Sequence, residues 1–154
     1  MNQAIVCRKA CIEDLEHILA IESQGFRVDS FSRRQFRYLI QHAKGAFFVA
    51  VASGTVAGYI SVLTRNNRIG RIYSIAVNRD YRGKEIAKLL IDTAVNFMHA
   101  QHIERIFLEV AVDNAAAISL YENKRFTKRS IKPGYYHSGA DAYSMICVMH
   151  PSSS

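Results

Sequence analysis

The chain is predicted to form a single α/β domain, a mixed sheet of about seven strands flanked by about four helices in the order βααβββαβαββ. Three observations carry this. Short apolar or alternating runs are interleaved with stretches whose apolar residues recur at helical spacing. Pairs of turn formers, Ser53-Gly54 and Asn66-Asn67, separate the runs in the middle of the chain. The strand through Ile75 and Val77 runs by way of a short basic turn into an apolar helix with Ile86, Leu89, Leu90, Ala94 and Phe97.

Residues 4–8 alternate weakly and read as the first strand. Ile12 to Glu22 follows as a helix, with Leu15, Ile18 and Leu19 on one face and Glu13 and Asp14 in the first turn. Gly25–Asp29 reads as a loop, after which Ser30 or Ser32 is placed to cap a helix carrying Phe36, Leu39 and Ile40. Ala46–Ala52 suits a buried strand, Val56–Thr64 its hairpin partner, and Arg68–Val77 the strand that enters the basic turn. A long helix is expected over 84–102, with His99 and His102 in its last turn, where imidazole complements the dipole. Arg105–Val112 is the next strand, and Asn114 caps a helix running to Lys124. Phe126–Ile131 and Ala142–Met149 complete the sheet around loops at Pro133-Gly134 and Ser138-Gly139. The domain is expected over 1–150, with 151–154 a disordered tail.

The 154 residues are 49% hydrophobic and 21% charged, ordinary values for a globular domain. No apolar run approaches the ~20 residues of a membrane span, and the start lacks a signal-peptide core, so a cytoplasmic protein without a membrane partner is expected. The three cysteines lack metal or redox spacing. Cys7 and Cys11 read as buried small hydrophobes, and no metal site is expected. A net charge of +7 suits either a polyanionic partner, such as a coenzyme's phosphates or an RNA-rich assembly, or a merely solvated basic surface. No extended stripe of lysine and arginine interleaved with aromatics runs through the sequence, which argues against direct nucleic-acid readout.

A strand feeding a helix through a basic turn makes an anion site, because unpaired N–H groups and the helix dipole converge there. Here the turn reads Arg82-Gly83-Lys84-Glu85-Ile86-Ala87, followed by Lys88. It resembles the acyl-CoA pyrophosphate loop of GNAT-type N-acetyltransferases, Gln/Arg-x-x-Gly-x-Gly/Ala, with Glu85 in place of the central glycine. A carboxylate there is expected to favour the helix start and to compete with a phosphate. The run Leu108-Glu109-Val110, then Asn114 and Leu120-Tyr121-Glu122 before Phe126, resembles the second half of the same family's signature. Arg125 stands where the family has a glycine that ends the helix in a left-handed conformation. Together with Lys132-Pro133-Gly134-Tyr135-Tyr136-His137, the pattern is most similar to the RimI-like branch, which acetylates the N-terminal alanine of a ribosomal protein. Phenylalanine at Phe31 replaces that branch's usual tryptophan.

The resemblance implies a GNAT-like fold and an acetyl-CoA-dependent N-acetyltransferase whose acceptor is a protein or peptide N-terminus, such as that of a ribosomal protein. It implies Glu109 as general base and Tyr121 as general acid. Coenzyme binding falls to Ile75, Ala76, Val77, Arg82, Gly83, Lys84, Glu85, Ile86, Ala87, Lys88 and Asn114. Acceptor binding falls to Phe31, Tyr135 and Tyr136, on the loops at Arg27–Phe31 and Tyr135–His137. Read by themselves these residues have plainer roles: Glu109 as a polar strand residue, Asn114 as a helix cap, Tyr121 as packing. A small-amine or lysine acetyltransferase, or a weakened acyl-CoA-binding module, stays open.

Overall fold

Hydrophobic periodicity and turn chemistry resolve into seven strands and four α-helices in the computed structural model, which describes residues 4–25, 32–83 and 85–149. They are β1 (Ile5–Lys9), α1 (Leu15–Gly25), α2 (Arg33–Gln41), β2 (Gly45–Ala52), β3 (Thr55–Arg65), β4 (Ile69–Val77), α3 (Ile86–Ala100), β5 (Arg105–Ala111), α4 (Ala115–Asn123), β6 (Thr127–Lys132) and β7 (Ala142–Val148). Short 3-10 turns at Ile12–Asp14 and Arg79–Tyr81 precede α1 and α3. The sheet order is β1-β2-β3-β4-β5-β7-β6. Only β4 and β5 run parallel; every other pair is antiparallel.

Both expected hairpin turns are present. Ser53 and Gly54 have φ of 49° and 80°, Asn66 and Asn67 of 56° and 53°. Positive φ at both central residues is what a tight hairpin turn demands. Ser32, rather than Ser30, which lies outside the described residues, caps α2 by accepting from Gln35 N–H at 3.2 Å. On one face of the sheet Ile60, Ile72, Ile106, Leu108 and Met145 pack with Leu90, Ile91, Ala94 and Met98 of α3 and Ile118 of α4. On the other, Phe47, Val49 and Tyr59 pack beneath Leu15, Ile18 and Phe36 of α1 and α2. Gly58 of β3 lets the start of α3 lie close: a Cβ there would meet Ala76 O at 3.0 Å and Ile86 Cγ2 at 3.3 Å.

Two expectations are corrected. The helix over 84–102 spans Ile86–Ala100, so His99 alone lies in its last turn. His102 sits beyond it at φ 62°, with His102 N–H bonded to His99 O and Ile103 N–H to Met98 O. That pairing closes the helix end and turns the chain before His102 can join it. Cys11 is exposed, its thiol 3.4 Å from Asp14 Oδ2, because it stands at the N-cap of the first 3-10 turn; Cys7 is half-buried. Phe31 and the 150–154 tail lie outside the described residues.

The Asp14 carboxylate is buried and ties the start of α1 to β1, accepting from Arg8 at 2.8 and 2.9 Å and from Cys11 N–H at 2.8 Å. Arg8 holds its pKa down to about 2. A depressed carboxyl contributes stability above its unfolded pKa and loses it as pH falls through the folded value. Asp14→Asn should therefore cost about 2 kcal/mol at neutral pH, a gap that closes between about pH 4 and 2 in urea titrations.

Arg125 takes φ 72° at the end of α4, its N–H on Glu122 O while Phe126 N–H meets Tyr121 O. This is the left-handed cap that glycine occupies without strain. Arg125→Gly should stabilise the fold by about 1 kcal/mol, read as a raised denaturation midpoint.

Candidate active site

Strands β4 and β5 are paired only from Ile69–Arg71 to Arg105–Phe107. Beyond that point β4 stays on β3 as far as Val77, and β5 stays on β7 as far as Ala111. A register shift opposite Ser61 and Val62, where β3 passes from Ser74 to Ile72, puts a bulge at Tyr73. Bulges increase local twist, and this one lies just past the last pair between the two strands. The strands part into a cleft of about 670 Å³ lined by Ile72–Val77 on one side and Leu108–Ala111 on the other. Along this gap the facing strand edges present backbone N–H and C=O groups to a ligand rather than to each other.

Glu109 projects from β5 with its side chain only 6% exposed. Oε1 accepts from Arg71 of β4, and Oε2 from Lys132 Nζ of β6 at 3.1 Å. The same Arg71 Nη2 donates to Tyr135 Oη at 3.2 Å, so the carboxylate and the β6–β7 loop share one guanidinium. Tyr135 and Tyr136 meet edge to face with centroids 5.0 Å apart, and both line the cleft with His137. The loop that carries them is closed by Gly134 N–H to Asp141 Oδ1 at 2.9 Å and Tyr136 N–H to Ala140 O at 3.2 Å.

Tyr121 reaches the cleft from α4, where it is buried against Phe126 at 6.0 Å between ring centroids. Burial, with a smaller contribution from Tyr136, pushes its pKa up to about 12. Its phenol therefore keeps its proton at any ordinary pH. Asn114 lines the cleft while its Oδ1 accepts from Ala117 N–H at 3.2 Å. The cap uses the oxygen and leaves the amide N–H groups for another partner.

Residues 12–126 match the Acetyltransferase (GNAT) family, well over half of the chain. The protein belongs to the GNAT acetyltransferase family. It is 35% identical over 153 residues to an N-alpha-acetyltransferase of Saccharolobus solfataricus, covering 90% of this chain and 89% of that one. A putative ribosomal protein bS18-alanine N-acetyltransferase of Bacillus subtilis is 27% identical over 146 residues, covering 94% and 96%. Among solved structures, the NatC complex bound to Gag peptide and CoA superposes with a TM-score of 0.83 at 29% identity, covering 95% of this chain and 99% of that one. This GNAT chain is thus an N-acetyltransferase with acetyl-CoA as donor.

The cleft fits that coenzyme. Ile75, Ala76 and Val77 offer a β4 edge free on the cleft side, and Ala87 lines the same space. The first hydrogen bond of α3 runs from Leu89 N–H to Glu85 O, so the N–H groups of Ile86, Ala87 and Lys88 come before it and suit a phosphate. Arg82 and Gly83 are exposed beside them, and a Cβ on Gly83 would meet nothing within 4 Å, which leaves the approach open. The Ile86 side chain is buried in the core, so only its backbone can serve. Lys84 and Phe31 lie outside the described residues. Among the described residues no group of acidic, histidine or cysteine side chains is placed to hold a metal. No described helix is long and apolar enough to cross a membrane.

Sequence reasoning missed Arg71, Glu22, Tyr59 and Ser74. Tyr59 is fully buried, hydrogen-bonded to the Glu22 carboxylate and lying 2.7 Å from Ser74 Oγ, and both Glu22 and Ser74 line the cleft. The available signal was a glutamate on the apolar side of α1 and an arginine in the strand leading to the basic turn.

Glu85 does not play the part its charge suggests. It sits at φ 62° ahead of α3 with no side-chain cap, 75% exposed, and accepts from Lys88 Nζ at 3.2 Å. The carboxylate turns onto its own helix, and the backbone adopts the conformation that the family's glycine takes without strain. The expected support for the helix start is therefore outweighed by the left-handed backbone. Glu85→Gly should raise stability by a few tenths of a kcal/mol, about 1 kcal/mol of backbone relief less the roughly 0.3–1 kcal/mol a carboxylate contributes at a helix start, and, by freeing Lys88 and removing a negative charge, tighten acetyl-CoA binding. Thermal denaturation and calorimetric titration read the two effects separately; a loss of stability would show that the carboxylate's support exceeds the backbone strain.

Proposed function

We propose that the protein is an Nα-acetyltransferase acting on the free N-terminus of a protein or peptide, with a ribosomal protein as the leading acceptor. The observation that carries this reading is the pairing, in one cleft between parted strands, of a buried carboxylate on β5 with a buried protonated phenol on α4. The similarity to enzymes named for N-terminal acetylation supports it along nearly the whole chain. The net charge of +7 suits an acceptor within an RNA-rich assembly.

Acetyl-CoA supplies an activated thioester. The residues of this chain have to deliver a neutral amine to it and protonate the sulfur that leaves. An α-amino group titrates near 7.7–8.0, so at neutral pH much of it carries a proton that Glu109 accepts, directly or through a water. For that the Arg71 and Lys132 contacts must loosen, since both carboxylate oxygens are engaged in the free protein. The freed nitrogen lone pair attacks the carbonyl carbon; as the carbon–sulfur bond breaks, the nitrogen gives up its second proton, and the Tyr121 hydroxyl, hydrogen-bonded to the sulfur, relays a proton to the thiolate and regains one from the nitrogen or from water. A phenol at about 12 is a weaker acid than a thiol near 8.5, so it works chiefly as a hydrogen-bond donor to the developing negative charge. In this reading backbone N–H groups of the β4 edge polarise the thioester oxygen. Direct attack needs no protein nucleophile, no cysteine lines the cleft, and Cys147 is buried on β7, so the reading takes transfer to run in a ternary complex.

Glu109→Gln should slow transfer to an N-terminal peptide most at low pH, where the amine is protonated, with little change in acetyl-CoA affinity. Tyr121→Phe should lower turnover by about 10²–10⁴-fold. CoA-thiol release across a pH series, with peptide N-termini set against lysine side chains and small amines, tests the assignment. Undiminished turnover in Tyr121→Phe removes its role, and preference for lysine or small amines removes the proposed acceptor.

A further inference from the structure

The proposed chemistry does not account for the two cations around Glu109. Side chains of β5 alternate between faces, and Ile106, Leu108 and Val110 enter the core against α3 and α4. Glu109 therefore faces the other side, where α1 and α2 pack on β2, β3 and β4. Arg71 and Lys132 stand beside it there with side chains 38% and 43% exposed, and Arg129 lies over Phe107 at 5.5 Å. One carboxylate thus meets two direct cations. Among the described residues the guanidinium bonds only Glu109 and Tyr135, both from Nη2, and its buried Nε meets no acceptor. Lys132 Nζ holds Glu109 Oε2 and stands 5.6 Å from the Tyr135 ring, with donors to spare.

Resting on the acceptor assignment above, we infer that Arg71 and Lys132 form a carboxylate subsite that selects N-termini bearing Asp or Glu at the first or second residue. An acceptor carboxylate would complete the guanidinium's bonding and balance the excess positive charge that an incoming ammonium otherwise meets. It would also draw Arg71 and Lys132 away from Glu109, so the correct acceptor would release the carboxylate that accepts its proton. The other acidic groups of the cleft do not fill this place: Glu22 is bonded to Tyr59 beneath α1, and Asp113 lies past the end of β5.

The test uses the full chain, acetyl-CoA and peptide pairs that differ only by Asp against Asn, or Glu against Gln, at position one or two. Wild-type kcat/KM should favour the acid by about 5- to 20-fold, the range for a charge-assisted contact at a half-exposed site, and added salt should shrink the ratio. Lys132→Met and Arg71→Met should each pull the ratio towards one; Lys132→Met leaves Glu109 its Arg71 partner and guards against a folding defect. Equal rates for acid and amide peptides in the wild type overturn the subsite and leave the Nα-acetyltransferase assignment intact. Acetylation of none of the peptides overturns both.

Discussion

The parting of β4 from β5 is the constraint on which the rest of this protein depends. Two parallel strands that share only three residue pairs would leave two ragged edges in an isolated ribbon. Here each strand is held on its far side, β4 by β3 and β5 by β7, so the gap opens between two rigid half-sheets. A buried strand edge must find partners for its backbone groups. The edge of β4 finds none in β5 beyond Arg71 and is therefore prepared for an extended ligand to complete it. Helix α3, brought close by Gly58, presents its N-terminus at the outer end of the same edge. Strand edge and helix end together make a track that suits a chain ending in phosphates.

The polar groups along that track are held by elements distant in sequence. Tyr121 is fixed because its carbonyl belongs to the cap that ends α4 and its ring packs on Phe126, the residue after the cap. Glu109 is neutralised by cations from β4 and β6, which lets a carboxylate sit nearly buried in the free protein. Under the proposed mechanism Arg71 and Lys132 have to loosen their hold on Glu109 before it can take a proton, and an acceptor carboxylate would assist that release.

Much of the fold was legible because its signals are local. Helical spacing at Leu15, Ile18 and Leu19, the paired asparagines of the second hairpin, and the alternation through Ile75 and Val77 each place an element without reference to the rest of the chain. The basic turn and the helix start that follows it were legible for the same reason, since they are contiguous. Among the described residues of the acceptor side, only the run from Lys132 to His137 was marked. Arg71 and Glu22 come to this region through strand pairing and helix packing over long separations, and nothing near them in sequence marks them. Glu85 misled for a different reason. Its charge is visible in sequence, but its left-handed backbone and its turn towards Lys88 are properties of the folded helix start. His102 belongs with it, a non-glycine residue at a helix end whose positive φ becomes visible only in three dimensions, whereas that of Arg125 was foreshadowed by the family's glycine at its position.

The central claim is that the gap between β4 and β5, with the start of α3, receives the coenzyme. Backbone amide resonances followed through a titration with CoA test it most directly. The account predicts shifts concentrated at Ile75–Val77, at Gly83 and at Ile86–Lys88, with slowed hydrogen exchange along that β4 edge. Saturable binding that leaves those amides unmoved and perturbs another surface would contradict it.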